Sequence, residues 1–453
     1  MLNLATLTSV LVATGALAHT TPPRYNQTTD QEIESQIAFK DGECTVEPLG
    51  GARDDGPALL RAFETCANNS VINLPGPLYT VEKVLDTELH NVVINLEGIM
   101  QYTPNIEYWS PASIYLEYQN ATTAWKLSGA NITLQSLTRK GGIDGSGQTW
   151  WDAYAVEKAR GGRGVAGGSS RLFARPIPLA VADAYDVRVD GLSITNAPFW
   201  HMFTYQVEKV EFSNMFVKSI SSSNASAANT DGWDTYRSNN VIIRDSVIIN
   251  GDDCVSFKPN SSNILVENLY CDGSHGISVG SLGQYYGETD IVENIYSRNV
   301  TLINTEHGAR IKVFPGHNNT DSVEGGGIGR VRNVTWEDLT LESVDKPIFV
   351  TSCYNYDENP QWCEDHPSEL VISDIKFFNL KGYASGNYPN NTVGSLRCSG
   401  DCAGFVAQDI DIGLYENRTQ GQYVCTNLVN PRLDFTCIDV PFNGENQLSD
   451  LEP

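Results

Sequence analysis

"VIIRDSVIINGDDCVSFKPNSSNILVEN" (residues 241–268) spells one short pattern twice. Apolar, any, apolar, any, then Asn or Asp occurs as Val241-x-Ile243-x-Asp245 and again as Ile264-x-Val266-x-Asn268. Upstream the same pattern appears as Val210-x-Phe212-x-Asn214, and downstream as Val334-x-Trp336-x-Asp338 and Leu370-x-Ile372-x-Asp374. A weaker copy, Ile295-x-Ser297-x-Asn299, lies between, and "YDVRVDGLSI" (residues 185–194) is an earlier relative. The starts are separated by 23 to 39 residues. Alternation with period 2 in short runs predicts strands, and irregular repeats of this length without helical periodicity predict a stacked solenoid. A parallel β-helix satisfies both. Each coil stacks its strands on those of the coil before, and an Asn or Asp at the same turn stacks into a ladder. The competing β-sandwich needs two-residue Asn-Gly hairpin turns, which do not dominate the punctuation here. The fold class expected is therefore all-β.

Solenoid ends require caps. "DDGPALLRAFETC" (Asp54–Cys66) predicts an amphipathic helix with Asp before it and Pro57 in its first turn, burying Ala58, Leu59, Ala62 and Phe63. The cysteine-dense stretch 395–440 is expected to close the other end. The division that follows is a leader at 1–18, a polar extension at 19–42, one solenoid domain at 43–440 and an acidic tail at 441–453. The leader, "MLNLATLTSVLVATGALA", is an apolar run ending in Ala16-Leu17-Ala18, a secretory signal pattern with cleavage before His19. No later run is long and apolar enough to span a bilayer, so no membrane partner is expected.

Ten cysteines fit disulfides in an oxidising compartment. Close pairs suggest Cys44 with Cys66, Cys254 with Cys271, Cys353 with Cys363, Cys398 with Cys402 and Cys425 with Cys437. Zinc is the alternative use, but no CxxC pair occurs, and no metal or other cofactor is expected. N-glycan acceptor sequences recur at Asn26, Asn68, Asn120, Asn131, Asn224, Asn260, Asn299, Asn318, Asn333, Asn390 and Asn417. A secreted, extracellular, monomeric glycoprotein is expected. The net charge of −25 excludes a nucleic-acid partner and means that an anionic substrate needs a local basic patch.

The repeat gives the acidic motifs a geometry. Asp252 follows Val241 at the same offset at which His275 follows Ile264, so coils in register put the two at equivalent positions. Asp231 precedes Asp252 by about one coil. Arg310 and Lys312 are two apart on a strand and share a face roughly one coil after His275. Taken singly, "NTDG" is a turn, "GDDC" is a solvated bend or half a calcium site, "GSHG" is a Gly-rich bend and "RIK" is a solvated strand face. Taken together, they suit acid hydrolysis of an anionic sugar polymer. Crowded carboxylates raise the pKa of one member, which then serves as acid, while another activates water. Arg310 and Lys312 supply charge for a sugar carboxylate.

"NTD" at Asn229–Asp231, "GDD" at Gly251–Asp253, "HG" at His275–Gly276 and "RIK" at Arg310–Lys312, in that order, resemble the four motifs of the polygalacturonases of glycoside hydrolase family 28. With the repeat and the capping helix, the resemblance covers most of the chain after its leader. It implies a right-handed parallel β-helix and hydrolysis with inversion. By position, Asp252 resembles the general acid, Asp231 and Asp253 the residues that activate water, and His275 the assisting histidine. Arg310, Lys312 and Asn229 resemble substrate-binding positions. The backbone must bend between Asp252 and Asp253, a bend that Cys254 bonded to Cys271 is expected to hold. "GDDCVSFKPNS" and "GSHGISVGSLGQY" resemble the exo-acting fungal members, which implies a pectic polysaccharide (polygalacturonate) as substrate. The long loops 160–176 and 315–329 are expected to wall off one end of the cleft or to admit a decorated backbone. Trp233, Tyr236, Tyr285 and Tyr286 lie beside the motifs as candidate sugar-stacking rings. The alternatives are an endo-acting, xylogalacturonan or rhamnogalacturonan hydrolase, a calcium-dependent pectate lyase, and a β-helical carbohydrate-binding protein without catalysis.

Overall fold

The computed structural model describes residues 28–159, 173–356, 359–415 and 419–440. The leader, the acceptor sites Asn26 and Asn417, most of the expected 160–176 loop and the acidic tail lie outside these residues. Nearly all strands join one 27-stranded sheet whose pairings run overwhelmingly parallel from coil to coil. The strand Trp233–Ile249 lies between Met202–Ser213 of the coil before and Ser261–Asp272 of the coil after. The first position of the repeat forms one buried column through Val187, Val210, Val241, Ile264, Ile295, Val334 and Ile375. The chain is thus a parallel β-helix, with its apolar core running along the axis as a single continuous cluster.

The Asn/Asp position is where each coil turns. Asn214, Asp245, Asn268, Asn299 and Asp338 hold φ of 54°, 53°, 57°, 50° and 55°. These residues tolerate the left-handed region because their side chains find local partners there. The partner is the next rung: the Asn268 amide donates to Asp245 (2.8 Å) and the Asn299 amide to Asn268 (2.7 Å). A second ladder, Asn263, Asn294 and Asn333, runs beside it. This second corner corrects one element of the repeat. Leu370-x-Ile372-x-Asp374 runs alongside Gly329, Val331 and Asn333, so it belongs to the second ladder. The rung that continues the first is Ile375-x-Phe377-x-Asn379. The Leu370 rung carries the spelling because its corner takes the same left-handed turn, whereas its neighbours in that ladder, Asp290-x-Val292-x-Asn294 and Gly329-x-Val331-x-Asn333, keep the turn without it.

Helix Gly56–Thr65 closes the first coil, with Ala58, Leu59, Ala62 and Phe63 all buried. Within the stretch expected to be a polar extension, Asp30–Gln36 forms a helix opened by a Thr29–Glu32 capping box, and Ile37–Lys40 pairs antiparallel with Glu43–Val46. Gln36 donates to Asp55 at 2.8 Å and Arg53 pairs with Glu32 at 2.7 Å, so this segment is docked on the cap. Its polar composition hid the docking, which joins these polar contacts to Ile33 and Ile37 packed against the core. At the far end, Thr392–Ala403, Gln422–Val429 and Cys437–Asp439 stack as the last rungs. All five cysteine pairs expected from spacing are bonded.

Candidate active site

The site grows from the start of four successive rungs. Trp233, Val255, Ile277 and Ala309 pair in register and point inward, so their neighbours Asp234, Ser256, Ser278 and Arg310 form the adjoining outward column. Just before each of the first three strands comes a tight turn: Asn229–Gly232, Gly251–Cys254 and the His275 bend. Backbone bonds from Gly232 N to Asp253 O (2.9 Å) and from His275 N to Asp252 O (2.8 Å) stack the turns. The Asn250 amide joins two of them by donating to Thr230 O and Asp253 O. The register shortens across these turns. In the long strands Val241 pairs with Ile264 and Ile249 with Asp272, but beyond the bend Val255 pairs with Ile277, so the chain drops a residue there. His275 is therefore level with Asp253, and the bend at Asp252 brings its carboxylate back to His275 Nδ1 at 3.2 Å.

The expected residues come together. Asn229, Asp231, Asp252 and Lys312 line one pocket. Asp253 is fully buried beneath it, accepting from Ser278 Oγ (2.6 Å) and from Lys312 Nζ (2.7 Å), with Arg310 Nη1 at 3.7 Å. Arg310 accordingly lies in the layer behind the lining, against Asp253. Asn229 Nδ2 reaches Asp252 Oδ2 at 3.5 Å. His275 stands between two carboxylates, Asp252 on Nδ1 and Glu306 on Nε2 (3.3 Å), and Glu306 in turn meets Lys346 at 3.3 Å. Asp252, Asp253 and His275 present atoms within 4.8 Å of one another, the spacing of a cation site, but here His275 and Lys312 already face the two carboxylates.

The electrostatics divide the carboxylates into two classes. Burial pushes Asp253 up, but Lys312 and Arg310 outweigh it and hold the group below the usual carboxylate range. Burial likewise opposes ionisation of Asp252, yet His275, Lys312 and the Asp253 N–H hold it well below that range. His275 is pushed up to about 9 by Asp252 and Glu306 against its own burial. Asp231 goes the other way: burial, then Asp234 and Asp252, raise it well above the ordinary value. Asp234, buried and beside Asp253, is raised to about 7 despite Lys258. The carboxyl group inclined to stay protonated is thus Asp231 rather than Asp252, because the cations cluster on the Asp252–Asp253 side.

Several site residues carried no signal in the four motifs. Lys258, within the quoted "GDDCVSFKP", lies 3.1 Å from Asp234 and 3.7 Å from Asp231, beneath the Trp200 ring. Buried Arg175 donates to Asn229 Oδ1 (2.7 Å) and Ala228 O (2.8 Å) and so fixes the first turn. Gln119 donates to Gln284 at 2.8 Å; both line the pocket and are 165 positions apart. Such long-range partners leave no local pattern to read. The aromatic rings on the lining are Phe199, Trp200, Phe314 and Tyr354. Trp233 packs in the core against Phe212, Tyr236 stacks on Tyr118, and Tyr285 and Tyr286 lie off the lining. Period 2 already turned Trp233 inward.

Known proteins resemble this chain in sequence and in fold. The chain is 42% identical over 376 residues to the exopolygalacturonase of Cochliobolus carbonum, covering 82% of this chain and 80% of that one. It is 40% identical over 401 residues to a protein of Aspergillus fumigatus named probable exopolygalacturonase X, covering 87% and 88%. Among solved structures, the endo-xylogalacturonan hydrolase of Aspergillus tubingensis superposes with a TM-score of 0.76 at 30% identity, over 87% of this chain and 99% of that one. Solved polygalacturonases share the solenoid, which is a right-handed parallel β-helix. The family model described as glycosyl hydrolases family 28 matches residues 71–431, the span that holds every turn of this site, and the chain belongs to that family.

Proposed function

We propose that this chain is a secreted exo-acting polygalacturonase that hydrolyses the α-1,4 bonds of polygalacturonate from the non-reducing end with inversion, releasing galacturonic acid. The observation that carries the reading is a pocket whose lining holds Asp231, Asp252, Lys258 and Lys312 together with the bonded pair Gln119 and Gln284. This bond, which ties the segment around Gln119 to the pocket's lining, supports the exo mode. The segment Ile114–Thr123 is tied down by Glu117, which pairs with Arg237 (2.6 Å) and accepts from Tyr205 (3.0 Å), and by Tyr118 stacked on Tyr236. An open groove would let a polymer pass through; a bridged one favours a chain end. Five disulfides fit an oxidising, extracellular setting.

Asp252 delivers the proton to the leaving oxygen. At rest that proton sits on His275 Nδ1 and Asp252 is ionised; the proton passes to Asp252 and from there to the glycosidic oxygen as the C–O bond breaks, leaving His275 neutral and Asp252 ionised again. Water adds to the anomeric carbon from the opposite face, and its proton goes to Asp253 or Asp231. The raised pKa of Asp231 favours a second assignment, in which Asp231 is the acid and the Asp252–Asp253 pair the base.

The first experiment is digestion of polygalacturonate with chelator present, following viscosity and product size together. Galacturonic acid monomer with little loss of viscosity is expected. Mixed oligomers with a fast viscosity drop would overturn the exo mode, and activity on xylogalacturonan alone would overturn the substrate. Inhibition by chelator would point to the calcium-dependent lyase.

A further inference from the structure

Asp234 poses a question that the four motifs do not. Its side chain is fully buried, and among the described residues the Lys258 ammonium at 3.1 Å is the one cation in ion-pair range. A buried carboxylate costs several kcal/mol of desolvation, and one partner offsets that only in part. Lys258 is itself 6% exposed, pinned under Trp200, and its Nζ stands between Asp234 and Asp231. With two anions already beside it, this ammonium is poorly placed to capture a third from substrate. Lys312, also on the lining, instead pairs with Asp253 at 2.7 Å.

We propose that Lys258 is a positioning residue that favours the charged form of Asp231, and that Asp234 anchors it there. Asp234 is three positions after Asp231, one step onto the outward face of the following strand, and Lys258 comes from the end of the next rung's strand, Val255–Phe257. Lys258 thus comes to the pocket's lining beside Asp231, while Asp234 holds it from a fully buried position off the lining. The charged groups around Asp231 are Asp234 on its own strand, Asp252 and Asp253 on the next turn, Lys258, and Arg175 behind Asn229. His275 and Lys312 act on it through Asp252 and Asp253. Of these, Lys258 lies in ion-pair range of Asp231 itself.

The proposal rests on Asp231 taking part in proton transfer, as assigned above. Its test is the pH profile of kcat/KM on a short oligogalacturonide for the wild type, Lys258→Met, Lys258→Arg and Asp234→Asn, with circular dichroism to select folded variants. Removing the cation destabilises ionised Asp231, so Lys258→Met should move the Asp231-controlled limb to higher pH by about one unit or more. Lys258→Arg should restore it. Asp234→Asn keeps a side-chain oxygen to hold the Lys258 ammonium and removes only the neighbouring negative charge, so it should move the same limb to lower pH, and it serves as the test if Lys258→Met does not fold. If the acidic limb moves, Asp231 is a base; if the alkaline limb moves, the proposal stands and Asp231 is the acid. A uniform loss at every pH, or both variants shifting the same way, would overturn the proposal.

Discussion

Asp252 is held by His275 Nδ1 at 3.2 Å, by the Asp253 N–H at 2.8 Å and by the Asn229 amide. Asp231, one rung earlier, has anions on two sides and one cation 3.7 Å away. Two carboxylates of the same chemistry thereby take opposite charge preferences, and the two role assignments make opposite predictions. Asp252→Asn and Asp231→Asn should each reduce turnover of polygalacturonate by about 10²- to 10⁴-fold, the contribution of a positioned acid or base. On an aryl galacturonide whose leaving group needs no proton, the variant lacking the acid should recover most of its rate and the variant lacking the base should not. Recovery by Asp252→Asn is expected; recovery by Asp231→Asn alone would exchange the roles.

At the scale of the element, the turn asparagines do two jobs at once. Asn268 holds φ 57°, donates to Asp245 and accepts from Asn299. Replacing it by Ala removes two hydrogen bonds and forces a Cβ-bearing residue without a local partner into the left-handed region, a combined cost of about 2 kcal/mol. Asn268→Gly keeps the turn accessible and loses only the ladder bonds, so it should cost less. Denaturant midpoints of the two variants check this, and equal destabilisation would count against the backbone contribution. The same reasoning explains the misassigned rung at Leu370: the spelling reports a left-handed corner, and a coil has several, as at Asn294, Asn299 and Asn304.

For the whole molecule, the decisive contacts are those that cross the solenoid. Gln119 and Gln284 are far apart in the chain, and their bond lies on the lining of the pocket that holds Asp231 and Asp252. Converting both to Ala should leave the solenoid intact and admit the polymer further, so that di- and trigalacturonate appear beside monomer. Chromatography of early digests checks it: monomer alone from the double variant would place the barrier elsewhere, for example in the loop 315–329.

The repeat, the capping helix, the five disulfide pairs and the four motifs are local facts, written in spacing and alternation, and they determined the β-helix and the residues that meet in the site. The shortened register through the bend, which pairs Val255 with Ile277, was not legible, because it depends on how Asp252 and Asp253 fold against the next turn. Nor was the charge of each carboxylate, which depends on burial and on cations from other rungs such as Lys258, Lys312 and Arg310. The Gln119–Gln284 bond on the pocket's lining was equally hidden, since two glutamines 165 positions apart become neighbours only once the coils between them have stacked.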